Sequence, residues 1–137
     1  MSFVLDTSVA VAWLFEDEAS AEADALAARV AQDGAMTPSL WRLEVANVLL
    51  QAEKRGRIAA SDVALRLELL DALPIATDAE TDARSWRETL SLARQYRLTS
   101  YDAAYLELAM RLDCPLATLD KALRNAARAE NVAILPH

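Results

Sequence analysis

Residues 3–8 read Phe3-Val4-Leu5-Asp6-Thr7-Ser8, and residues 116–120 read Leu116-Ala117-Thr118-Leu119-Asp120. In both, an apolar run too short for a helix ends in an aspartate at the mouth of a helical pattern. The same type of run recurs at Ala35-Met36-Thr37, Pro74-Ile75-Ala76 and Val132-Ala133-Ile134-Leu135, and with Phe3–Leu5 and Leu116–Thr118 this predicts five buried strands. Helical patterns fill the intervals: Ser8–Phe15, Ala19–Gln32, Leu40–Arg55, Ser61–Leu70, Glu80–Tyr96, Tyr101–Leu112 and Lys121–Ala129. Short strands alternating with long helices imply an α/β fold in three layers, α/β/α, around a central, mostly parallel five-stranded sheet. Gly34 and Gly56 stand where helices should stop, Ser39 and Ser61 where helices should start, and Pro115 opens a strand. With no linker, repeat or low-complexity tract, residues 1–137 read as a single domain.

Composition narrows the chemistry. Hydrophobic residues make up 54% of the chain against two glycines and four prolines, enough to bury a core and inconsistent with disorder. Cys114 and His137 are the sole residues of their types, which excludes disulfide frameworks, zinc fingers and Ser-His or Cys-His catalytic pairs. Any catalysis must therefore rest on carboxylates. Met1–Leu5 carries no basic residue and Asp6 breaks the apolar run, so an export signal is not expected; nor is a membrane span, and a cytoplasmic protein is. The net charge of −7 gives phosphate no general attraction, so a nucleic-acid substrate would need local cations.

In open parallel sheets, ligands bind beyond the carboxyl ends of the strands where strand order reverses. Asp6 and Asp120 both belong at that edge, and Asp102 falls in the first turn of the helix beginning near Tyr101. Each has an ordinary explanation as a helix cap or a dipole partner. Three aspartates on one edge are harder to explain that way, because their mutual repulsion disfavours clustering without a cation. Glu44 lies in an otherwise apolar helix with Asn47 one turn on; a solvated stripe of Glu44, Asn47 and Gln51 is the alternative to a functional role.

The order and neighbours of these residues carry a resemblance. Asp6-Thr7-Ser8-Val9, Pro38-Ser39-Leu40-Trp41-Arg42-Leu43-Glu44-Val45-Ala46-Asn47, Leu98-Thr99-Ser100-Tyr101-Asp102-Ala103-Ala104-Tyr105 and Ala117-Thr118-Leu119-Asp120-Lys121 together resemble the PIN-domain family across the whole chain, and within it the VapC toxins. The resemblance implies a metal-dependent endoribonuclease, the toxin of a VapBC-type toxin–antitoxin pair, in which Asp6, Glu44, Asp102 and Asp120 hold one or two Mg²⁺ or Mn²⁺ ions. Asp6 and Asp102 would be direct ligands, Glu44 and Asp120 direct or water-mediated ones. Oxygen ligands suit such hard cations. A metal-activated water would then hydrolyse the RNA phosphodiester, leaving a 5′-phosphate and a 3′-hydroxyl. Ser8, Thr118 and Asn47 would support the carboxylates, with capping or solvation as their alternative roles. The resemblance further implies a homodimer and inhibition by a cognate VapB-like antitoxin; Trp13 and Phe15 read first as core residues and otherwise as candidates for its groove, and Trp41 and Trp86 are open to the same two readings. Lys54, Arg55 and Arg57 are candidate RNA-phosphate contacts.

Two other classes compete. A PIN-like scaffold that binds metal but is catalytically silent has no need to keep all four carboxylates together. A phosphatase using Asp6 as nucleophile would want a second carboxylate where Ser8 stands, and Asp78 and Lys121 fit a receiver domain poorly.

Overall fold

The computed structural model describes residues 2–137; Met1, at the head of the segment read for an export signal, lies outside them. Strands β1 (Phe3–Leu5), β2 (Ala35–Thr37), β3 (Ile75–Thr77), β4 (Leu116–Ala117) and β5 (Ile134–Leu135) form one sheet in the order β3-β2-β1-β4-β5, every pairing parallel. The helices are α1 (Thr7–Leu14), α2 (Ala21–Asp33), α3 (Trp41–Lys54), α4 (Ala60–Asp71), α5 (Thr81–Arg84), α6 (Leu90–Tyr96), α7 (Ser100–Leu112) and α8 (Lys121–Ala129). They make the expected three-layer α/β/α arrangement. Phe3, Val4, Leu5, Leu116 and Ala117 are wholly buried, which is why these strands lack polar alternation. Val9, Val30, Val45, Leu49, Leu106 and Leu123 supply the helical side of the same core.

The chain lays β2 and β3 on one side of β1, then β4 and β5 on the other. Strand order therefore reverses between β1 and β4, and the residues that follow these two strands flank the resulting crevice. Among the described residues no helix is long and apolar enough to cross a membrane.

Several boundaries differ from expectation for local reasons. Pro74 was expected to open β3, but proline has no N–H to give the ladder; its carbonyl accepts from Ala35 N at 3.1 Å and the strand starts at Ile75. Val132 donates to Ala127 O at 2.8 Å and so closes α8, which delays β5. Ser20, not Ala19, opens α2, its hydroxyl accepting from Ala23 N at 3.1 Å. Neither Ser39 nor Ser61 caps a helix: α3 begins after Leu40 and α4 after Ala59, neither with a side-chain cap. The helix expected over 80–96 is interrupted by a π turn, Ser85–Thr89, where the Ser85 hydroxyl donates to the Thr81 carbonyl at 2.8 Å and competes with the backbone ladder.

Gly34 does end α2. Its φ is +79°, and a Cβ there would meet the Pro74 carbonyl oxygen at 3.1 Å. Gly34→Ala is expected to cost about 1–2 kcal/mol from the left-handed backbone and the close approach together. Urea unfolding checks this; an unchanged midpoint would show that the turn relaxes freely.

Candidate active site

Asp6 emerges from β1 into the crevice with 5% of its surface exposed. Its Oδ2 accepts hydrogen bonds from Ser8 Oγ and Thr118 Oγ1, each at 2.7 Å. Ser8 and Thr118 thus converge on a single oxygen of Asp6. The same hydroxyls fix the loop after β4, since Leu119 N donates to Ser8 Oγ at 2.8 Å and Asp120 N to Thr118 Oγ1 at 3.1 Å. Burial pushes the Asp6 carboxyl above its usual range, and the two hydroxyls pull against that shift.

The three aspartates differ in whether they cap a helix. Asp6 precedes α1 but makes no side-chain capping bond. In α7 the cap is Thr99, whose Oγ1 accepts from Asp102 N at 3.1 Å, so the Asp102 carboxylate is not needed for that task. Asp120 alone of the three does cap, its Oδ2 accepting from Leu123 N at 2.9 Å.

Glu44 is not part of a solvated stripe. It is half-buried, and its Oε1 accepts from Thr7 Oγ1 at 3.0 Å and from the Tyr105 hydroxyl. Asn47 stands exposed on α3, so the groups that orient Glu44 are Thr7 and Tyr105 instead. Sequence reasoning gave neither residue a role, although Tyr105 follows Asp102 by three positions, on the same face of α7. Burial and the Glu44 carboxylate push the Tyr105 phenol well above its ordinary pKa, so it remains a donor.

Asp6, Asp120 and Glu44 all lie within electrostatic reach of Asp102. Its carboxyl is raised from 3.8 to about 6, first by burial and then by the charges of Asp6, Asp120 and Glu44. This is the repulsion expected of carboxylates gathered at one sheet edge.

A family profile described as the PIN domain matches residues 3–129. The chain belongs to the PIN-domain family. Over 123 residues this PIN domain is 33% identical to Ribonuclease VapC3 of Pyrobaculum aerophilum, spanning 90% of the chain and 92% of that protein, which places it among the VapC-type toxins. The crystal structure of PAE2754 from Pyrobaculum aerophilum matches with a TM-score of 0.71 at 22% identity, covering 98% of this chain and 92% of that one, a likeness of fold.

The surface expectations for this PIN domain need correction. Of the core and groove readings of Phe15 and Trp41, the structure gives the core and not the groove, each being only 2% exposed. Phe15 is roofed by Arg57, whose guanidinium lies 4.0 Å from the ring centroid, and by Arg66 at 5.4 Å. Trp41 belongs to the core and is one of the residues lining a cavity of about 460 Å³ between α3, α4 and β3. Trp13 is half-buried, its Nε1 donating to Ala23 O at 2.7 Å. Trp86, left open between groove and core, is 90% exposed. Arg57 is not a free cation for phosphate: it pairs with Asp17 at 2.7 Å and Glu18 at 2.9 Å, holding the turn after α1. Lys54 and Arg55 are exposed at the end of α3.

Proposed function

We propose that this PIN domain is an endoribonuclease that hydrolyses RNA phosphodiester bonds with Mg²⁺ or Mn²⁺, and that it acts in the cytoplasm as the toxin of a VapBC-type pair. The observation that carries the reading is the convergence of Asp6, Glu44, Asp102 and Asp120 on one crevice, expressed in the raised pKa of Asp102. The name of the relative, a ribonuclease, supports RNA as the substrate. Residues 1–137 would act as one domain, paired as a homodimer and held inactive by a VapB-like antitoxin.

The donor set fits a hard cation, since every group offered is an oxygen. Among the described residues no three acidic, histidine or cysteine side chains are grouped tightly enough to cage an ion by themselves. Mg²⁺ commonly keeps several waters and is bound through one or two carboxylates. Asp6 and Asp102 would be those ligands, with Glu44 and Asp120 binding directly or through water. When bound, the cation supplies positive charge to the phosphodiester and acidifies an attacking water. Ser8 and Thr118 hold Asp6 by one oxygen and so fix the direction it presents. Thr7 and Tyr105 do the same for Glu44. Exposed Lys54, Arg55 and Asn47 are available to RNA, and Trp13 to the antitoxin.

Purified, antitoxin-free protein incubated with total cellular RNA tests this directly. Discrete cuts are expected with Mg²⁺ or Mn²⁺, and none with EDTA or in Asp6→Asn. Folded, metal-binding protein that cuts no RNA would shift the reading to a catalytically silent scaffold.

A further inference from the structure

Tyr105 is fully buried, yet its hydroxyl does not end in the core. A phenylalanine would fill the same volume, so the phenol is explained by what it touches. It donates to Glu44 Oε1, the oxygen that also accepts from Thr7 Oγ1 at 3.0 Å, and the two hydroxyls are themselves 2.9 Å apart. Thr7 comes directly after Asp6 at the start of α1, Glu44 is on α3, and Tyr105 lies one turn beyond Asp102 on α7. The triangle therefore ties together three elements, each of which carries an acidic residue of the crevice. Both donors load Oε1, so neither bond occupies Oε2.

We infer that Tyr105 and Thr7 are positioning residues which clamp Glu44 by one oxygen, setting its spacing from Asp6 and Asp102 and orienting the carboxylate for a divalent cation. This rests on the reading of the four carboxylates as a cation site. Hydrogen bonds to a carboxylate are charge-assisted and directional, so two donors converging on one oxygen restrict rotation of the group more than either alone. They also tie Glu44 to the two elements next to Asp6 and Asp102, against the repulsion that would push its carboxylate away.

The test compares wild type, Tyr105→Phe, Thr7→Val, Thr7→Ser and the Tyr105→Phe/Thr7→Val double variant. Mn²⁺ affinity is read from the electron paramagnetic resonance of free Mn²⁺, alongside kcat and KM for RNA cleavage and the unfolding midpoint. Tyr105→Phe and Thr7→Val should each lose about 10–100-fold in Mn²⁺ affinity or kcat, the range for groups that orient ligands, with KM for RNA little changed. Thr7→Ser, which keeps the hydroxyl, should stay near wild type. The double variant should fall short of the product of the single losses, because both act on one oxygen. A Tyr105→Phe protein with a lowered midpoint but wild-type Mn²⁺ affinity and kcat would overturn the clamp and leave a structural tyrosine. Should Tyr105→Phe not fold, the contrast between Thr7→Val and Thr7→Ser decides, and equal behaviour of those two overturns the clamp. Wild type that neither binds Mn²⁺ nor cuts RNA overturns the cation-site reading and the clamp together.

Discussion

Asp102→Asn is expected to raise the unfolding midpoint of the metal-free protein by about 3–5 °C, as roughly 1 kcal/mol does in a chain of this size, while cutting RNA cleavage by about 10³-fold, the upper end for one electrostatic group. The two effects share a cause. Burial and three neighbouring charges raise the Asp102 carboxyl from 3.8 to about 6, so at neutral pH its ionisation works against the fold. Asparagine keeps the shape and removes the charge. The gain is set near 1 kcal/mol, well below the full value of the shift, because Asp102 is only half-buried and water screens it.

The sign of the pH dependence follows. A carboxyl with a raised folded pKa binds its proton more tightly in the folded state, so its unfavourable contribution is absent below 3.8 and develops as pH rises to about 6. Wild type and variant should therefore melt together in acid, and the gap between them should open over that window. Thermal melts in EDTA from pH 3.5 to 8 check it, and a variant no more stable than wild type at pH 7.5 would contradict the clustering. Adding Mg²⁺ should stabilise wild type and leave the variant nearly unmoved.

Asp6, Asp120 and the sheet that places them were legible because the signal is local: an apolar run, then an aspartate, twice. Glu44 was legible only as an ambiguity, since helical periodicity cannot say whether a polar face meets water or another carboxylate. What resolves it is Tyr105, which approaches Glu44 across 61 residues of sequence, and Thr7, which does so across 37. No local pattern encodes such meetings. The aromatic residues show the same limit from the other side. Phe15 reads as core or as a groove residue from its own neighbours, and what decides it is Arg57, arriving 42 positions later, which covers the ring and pairs with Asp17 and Glu18. Asp78, which fits a receiver domain poorly, is structural.

That structural role sets the largest stability effect expected away from the active site. Asp78 follows β3 directly, with its N–H on Thr37 O at 2.8 Å and its Oδ2 accepting from Thr81 Oγ1 at 2.8 Å. Arg111 on α7 reaches it with Nη2 at 2.7 Å and Nη1 at 3.1 Å, and grips Glu107 with Nε at 2.8 Å and Nη2 at 3.0 Å. One guanidinium thus satisfies two carboxylates, Asp78 and Glu107, with side chains only 7% and 6% exposed, and fastens the sheet edge to the helix that carries Asp102. Arg111→Met would leave both as buried, unpaired charges, at an expected cost of about 3–5 kcal/mol. Adding Asp78→Asn and Glu107→Gln should recover more than half of that, because the penalty lies in the orphaned charges more than in lost attraction. Arg111 holds the Asp78 carboxyl below 3.8, so the pairing contributes above that value and is lost as pH falls beneath it, the reverse of Asp102. The gap between wild type and Arg111→Met should accordingly narrow in acid, where the Asp102 gap also closes, but with the wild type as the more stable protein at neutral pH. Urea unfolding at pH 7.5 and 3.5 distinguishes the cases; a loss below 1 kcal/mol at neutral pH would mean that water reaches the orphaned carboxylates and the network is a surface feature.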